Sequence, residues 1–244
     1  ITGEAPDAWA GGTGVEVQAD IGFTGGLAGF QAEAAVYVEG RIRCGLHPRR
    51  RAIPIEVVTA QGGGIDFLVE AAANPDFTFS FTANPLGDRS TAGDAPLYVF
   101  RGVDLVTFNI GVRDLVREIS TLNDLMRALL PGSARRQRLT AILAHALDAL
   151  DLDDVPGTAE AARRVLAEGF APGAAPDAHR LTAVGHAHID TAWLWPMRET
   201  RRKCARTFAN QIQLMEQYPE HTFVCSQAAQ YEFIAQDHPG LFEE

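Results

Sequence analysis

The hydrophobic period of this chain changes twice along its length, and that constrains its fold more than any other feature. From residue 13 to about 109 the apolar residues fall in short alternating runs. Residues 33–38 and 41–46 flank Glu39-Gly40, a dipeptide suited to a tight hairpin turn. Residues 53–59 (IPIEVVT) alternate and are rich in branched side chains, Gly62-Gly63-Gly64 interrupts them, and 65–71 resume. Residues 78–82 alternate Phe with Ser and Thr, and 97–100 and 103–108 complete the series. Strands of this length with turn signals between them predict an antiparallel β-sandwich over residues 1–110.

From Val112 the period becomes helical: Leu115, Ile119, Leu122, Leu125, Met126 and Leu129 recur at three and four. Pro131-Gly132 ends that helix, and Ser133 is a good N-cap for the next, which carries Leu139, Ile142, Leu143, Ala146, Leu147 and Leu150. A third helix is predicted over 158–168, giving a helical segment at 111–170. Residues 171–179, rich in Pro, Gly and Ala, read as a linker.

Residues 180–244 then follow a β-α-β-α rhythm. A buried strand is expected at 181–185. Pro196 suits the first turn of a helix running to Gln217, with Cys204, Phe208, Ile212 and Met215 on one face, and Pro219 ends it. A short strand at 222–225 precedes a helix beginning near Ala228. The rhythm predicts the opening of a parallel, barrel-like α/β domain, whose ligand sites lie at the carboxyl ends of strands. Two strands cannot close a barrel, so the expectation is the N-terminal part of a longer polypeptide. The fold class is thus multi-domain α and β.

Beyond the first of those strands comes the corner VGHAHIDTAWLWP, residues 184–196. Residues two apart on extended chain point to one side. His188 and Asp190 can therefore meet one divalent cation, with Trp193 as an aromatic platform beside it. Such a pairing suits a hydroxyl-rich ligand such as a sugar. A lone histidine beside an apolar run is usually structural, and tryptophans are usually core. The HxHxD spacing with Trp directly after it is what favours metal.

The net charge of −10 argues against nucleic acid or an anionic membrane as partner, and no window approaches a membrane-spanning apolar length. The N-terminal residues have neither the basic nor the apolar part of a secretory signal. Cys44, Cys204 and Cys225 are few, odd in number and dispersed, which fits a reducing cytoplasm and small buried side chains better than disulfides.

The run VGHAHIDTAWLWPMRETRRKCARTFANQIQLMEQYPEHTFVCSQAAQYEFI resembles the opening of the catalytic domain of family 38 α-mannosidases, in their cytosolic branch. More loosely, residues 51–59, the glycine turn, FLVEAAANPDF and the helical residues 121–152 resemble that branch's N-terminal region. The resemblance implies His188 and Asp190 as two of four metal ligands and Trp193 as the residue against which mannose lies. It assigns no ligand role to His186, which is left as a supporting residue or a hydrogen-bonded structural one.

It also implies a retaining, two-carboxylate hydrolysis of terminal α-linked mannose from oligosaccharides. The cofactor would be a divalent metal, zinc before cobalt. The nucleophile and acid/base match nothing in this chain; Glu232 and Asp237 read as solvated charges. The chain alone is therefore expected to be inactive and largely metal-free. A homo-oligomer is allowed, a nucleic-acid or membrane partner is not expected, and the location expected is cytoplasmic. Two rival readings fit the same residues. An amidohydrolase would use His186 and His188 together, and a carbohydrate-binding sandwich would draw on scattered aromatics such as Trp9, Tyr37 and Tyr98.

Overall fold

The computed structural model describes residues 1–244 except 10–13, 30, 61–62, 75–95, 97, 172–178 and 194. The strand expected at 78–82 and most of the expected linker lie outside the described residues. The chain forms two compact units, Ile1–Val106 together with Thr182–Glu244, and Thr107–Leu181.

The first unit opens with β1 (Thr2–Gly3), β2 (Val15–Asp20), β3 (Ala32–Val38), β4 (Arg41–Leu46), β5 (Ala52–Pro54), a one-turn helix α1 (Ile55–Val58), β6 (Ile65–Asp66), β7 (Leu68–Ala73) and β8 (Gly102–Thr107). Two three-stranded sheets result, ordered β5-β2-β8 and β4-β3-β7, with β3 antiparallel to both neighbours. Glu39 and Gly40 both take positive φ, 50° and 77°, as the tightest hairpin turn between β3 and β4 requires. Val17, Ala19, Ala34, Val36, Cys44, Leu46, Ile53 and Phe67 pack into one core, so the sandwich expected from the alternating runs is present.

Two strand expectations need correction. The run at 53–59 leaves the sheet after Pro54 and coils into α1. Proline has no N–H for the ladder, and the helical turn still packs Val58, with Ile55 and Val57, on the core. Residues 98–100 form no strand, and Val99 and Phe100 are exposed. The cause is Asp20, whose carboxylate accepts from the N–H groups of Gly22 and Phe23 (2.9 and 3.2 Å) and turns the chain out of β2. Pairing is left to start at Arg101, which donates to the Asp20 carbonyl (2.9 Å).

The second unit is the helical segment: α2 (Ile110–Ala128), α3 (Ala134–Asp148) and α4 (Val155–Phe170). Each begins on a side-chain cap, Asn109, Ser133 and Asp154 respectively. The third helix starts three residues earlier than expected because Asp154, rather than a later residue, caps it. Leu115, Leu122, Leu139, Ile142, Ala146 and Leu166 are the heart of its core.

The first unit is completed by β9 (Gly185–His186), α5 (Met197–Gln217), β10 (Phe223–Val224), α6 (Ala228–Asp237) and α7 (Pro239–Glu243). β9 and β10 pair in parallel, as the β-α-β-α rhythm predicts. The first strand is shorter and less buried than expected: only two residues pair, and Leu181 is 94% and Val184 46% exposed. Among the described residues no second layer covers that apolar run. Pro196 is the N-cap of α5 rather than its first residue, and Met215 lies toward solvent instead of with Cys204.

The long helix α5 lies on the outer face of the β3–β4 pair. Gly45 makes this approach possible, since a Cβ there would sit 2.7 Å from the Arg206 Cβ and 3.0 Å from its carbonyl oxygen. The Asn210 amide caps the same point, accepting from Gly45 N (2.8 Å) and donating to Gly45 O (3.1 Å). β3 is thus buried on both faces. Ala34 and Val36 face the sandwich, whereas Ala35 faces Cys204, Ala205 and Ala209 of α5. Among the described residues no helix is long and apolar enough to cross a membrane.

Candidate functional site

Beyond β9 the chain runs through an irregular corner before α5, and a small set of polar groups fixes its backbone. Ile189 is buried, and its carbonyl accepts from Gln230 Nε2 (2.8 Å). The Thr200 hydroxyl accepts from Ala192 N (3.0 Å) and from Trp195 Nε1 (3.1 Å), and donates to the Asp190 carbonyl (3.4 Å). That uses the hydroxyl's one donor and two acceptor positions. Ala192 takes a left-handed φ of 56°, a cost met by these contacts. Thr191 donates to Gln227 Oε1 (2.8 Å), tying the corner to the start of α6.

The structure brings His188 and Asp190 together, with Nε2 3.1 Å from Oδ1. Their side chains are 75% and 42% exposed, so the pair faces outward. The alternation survives beyond the strand because Ile189, between them, points into the core. Both atoms are good divalent-ion donors once the imidazole nitrogen is unprotonated. His188 and Asp190 fit as two donors of a metal site. Among the described residues no three His, Cys, Asp or Glu side chains are grouped as one. His186 Nε2 lies 3.4 Å from Ser226 Oγ.

Trp193 is 40% exposed, and its ring stands edge-on to buried Trp195, centroids 5.6 Å apart and planes at 84°. The pair offers one indole to solvent and anchors the other in protein.

Sequence reasoning missed what lies beneath the corner, a buried polar layer between β3 and α5. Glu33 Oε2 accepts from Lys203 Nζ (2.9 Å) and Arg206 Nη2 (2.6 Å). Arg206 also donates to Glu199 Oε1 (2.5 Å), which accepts from Asn74 Nδ2 (3.1 Å). Lys203 Nζ further reaches the Gly29 carbonyl (3.2 Å) and stands 4.2 Å from the Trp195 ring centroid. Burial opposes ionisation of Glu33, yet Arg206 and Lys203 outweigh it and hold the carboxyl below its ordinary range. Burial also opposes charge on Lys203, and there it wins, lowering the ammonium, because its carboxylate partner is shared with Arg206. A cavity of about 280 Å³, lined by Glu33, His47, Lys203, Trp195 and His188 among others, adjoins this layer. The available signal was Glu33 inside an Ala-rich strand, answered by Lys203 and Arg206 on either side of Cys204.

The other candidates fall to structural roles. Arg201 grips Asp237 at 2.5 and 2.7 Å, and that hydrogen bonding holds its carboxyl below the usual range. Glu232 accepts from Gln236 (3.0 Å). All three cysteines are free and buried. Burial pushes the Cys44 thiol up to about 11 and the Cys204 thiol up to about 12, which leaves both unreactive. Tyr37 donates to Glu70 (3.1 Å), and Tyr98 packs against the sandwich core and donates to the Asn74 carbonyl. Trp9 lies in a one-turn 3₁₀ helix (Asp7–Trp9).

Known families and proteins match both parts of the first unit. Residues 178–244 match the glycosyl hydrolases family 38 N-terminal domain, and residues 1–105 match the jelly roll domain of α-mannosidase. Alpha-mannosidase 2C1 of Homo sapiens is 46% identical over 87 residues, covering 36% of this chain and 8% of that protein. An alpha-mannosidase of Saccharomyces cerevisiae is 31% identical over 191 residues, covering 73% of this chain and 17% of that protein. Alpha-mannosidase G of Dictyostelium discoideum is 47% identical over 64 residues, 26% of this chain and 6% of that protein. The chain thus spans a small part of the length of each relative.

Proposed function

Since this chain belongs to glycosyl hydrolase family 38, with an α-mannosidase jelly roll ahead of the family's N-terminal domain, we propose that it serves a metal-dependent, retaining α-mannosidase that removes terminal α-linked mannose from oligosaccharides. The observation that carries the reading is the outward-facing His188–Asp190 pair, with an exposed tryptophan three residues further on, at the carboxyl end of a parallel strand. His188 Nε2 and Asp190 Oδ1 are the donors this chain gives to a divalent ion, zinc before cobalt. When bound, that ion would hold mannose hydroxyls and favour a distorted ring.

The chain's own contribution is placement. Trp193 offers an apolar face to the sugar ring, and Thr200 and Gln230 hold the backbone between the two donors. The nucleophile and the acid/base are not assigned to any residue here. In this reading His186, whose Nε2 lies 3.4 Å from Ser226 Oγ, supports the corner, whereas an HxH amidohydrolase would use it as a ligand. A cytoplasmic location is supported by three buried, unpaired thiols.

The test is hydrolysis of an aryl α-mannoside by the enzyme that carries these residues. Activity should disappear with a chelator, return with zinc or cobalt, and be lost in His188→Ala. Turnover that persists in chelator would defeat the metal reading. Metal loss in His186→Ala equal to that in His188→Ala would favour the amidohydrolase instead.

A further inference from the structure

The corner's exposed indole is connected to the jelly roll through an unbroken series of contacts. Glu33 on β3 holds Lys203 at 2.9 Å in a buried pair. The Lys203 ammonium stands 4.2 Å from the centroid of Trp195, an indole only 8% exposed. Trp195 also donates its N–H to Thr200 (3.1 Å), so both its face and its edge are fixed. Trp193 then stands perpendicular to Trp195 at 5.6 Å. A cation over a ring is strongest where little of it meets solvent, and Lys203 is 5% exposed.

We infer that Glu33 of the jelly roll, acting through Lys203, is a positioning residue that sets the Trp195–Trp193 pair and thereby the aromatic wall of the sugar site. The inference rests on Trp193 being that wall. It gives the jelly roll a part in substrate recognition without touching substrate. Asp190 is bound to the same frame, since the Thr200 hydroxyl that receives the Trp195 N–H donates to the Asp190 carbonyl. Loosening Lys203 should therefore move the platform first and the metal donors less.

Two measurements test this. Perpendicular indoles at this separation couple, giving an exciton couplet in the circular dichroism of the chain. Lys203→Met should lose the couplet, and Lys203→Arg should keep it, because a guanidinium also stacks on indole. Lys203→Met leaves Glu33 with less compensation, so the charge-balanced Glu33→Gln/Lys203→Met pair serves where the single variant fails to unfold cooperatively. Glu33→Gln alone, which preserves shape, serves after that. A wild-type couplet in any cooperatively folded variant lacking the ammonium or its Glu33 carboxylate overturns the inference, as does its absence from the unsubstituted chain.

In the enzyme, the double variant should raise KM for p-nitrophenyl α-mannoside roughly tenfold, about 1.4 kcal/mol, and change kcat far less. A purely structural ion pair would lower the unfolding temperature and leave KM in place, and that result also overturns it. Failure of the unsubstituted enzyme to hydrolyse the mannoside would instead sink the mannosidase reading, leaving the dichroism result to stand.

Discussion

The two sides of the HxHxD corner follow opposite rules. Its back, between β3 and α5, is buried and polar: Glu33, Lys203, Arg206 and Glu199 are each at most 8% exposed, and each has a charged partner. Its front carries the same kinds of group left open, with the His188 side chain 75% exposed. Buried charges are tolerated only when paired and hydrogen-bonded. The back is thus committed to structure, whereas the front keeps donors available for a ligand. The difference predicts that stability and binding will separate cleanly along the corner.

The largest effect should come from the back. Arg206→Met removes the cation shared by Glu33 and Glu199 and should cost about 3–5 kcal/mol in chemical denaturation. A loss below about 1 kcal/mol would mean that water reaches the layer. Next comes Thr200→Val, which orphans the Trp195 and Ala192 N–H groups and should cost about 1–3 kcal/mol. Gly45→Ala should cost a similar roughly 1–3 kcal/mol, because the added carbon meets the Arg206 backbone as well as its side chain. For Arg206→Met and Gly45→Ala zinc affinity should follow folding, whereas Thr200→Val, which also frees the Asp190 carbonyl, should weaken zinc binding in addition.

The sandwich, the three helices and the parallel strand pair were legible from period and turn residues, since these are local signals. Ser133 as a cap and Glu39-Gly40 as a turn act within a few residues, and both appear where the pattern puts them. The second burial of β3 was not legible. Alternation predicts one wet face, and the helix that covers it lies more than 150 residues downstream. Pro54 and Asp20 ended strands that hydropathy alone would have extended, because backbone donors rather than side-chain polarity set those ends. Of the site, the HxHxD spacing was plain, but its supports Thr200, Gln230 and Lys203 are ordinary residues until folding brings them under it.

Acid should weaken the back through Glu33. Glu33 is held below its ordinary value of 4.5, so its ion pairs contribute stability that is fully present above that value. That contribution is lost as pH falls through the lower, folded value. Melting curves should therefore show the wild type losing more stability below about pH 4 than Glu33→Gln, which has no carboxyl to protonate there. Parallel loss in both proteins would mean that other carboxylates set the acid limit.

The smallest stability effect, and the sharpest contrast, belongs to His188→Ala. The side chain is largely exposed and its one charged contact is the exposed Asp190, so unfolding should shift by no more than about 0.5 kcal/mol. Zinc uptake by the enzyme should nevertheless be lost, because an open donor contributes its energy only when the ion arrives. Equilibrium dialysis on a variant with unchanged melting separates the two quantities. If His188→Ala melts early yet still takes up zinc, the front is structural after all, and the division between the two sides of the corner is wrong.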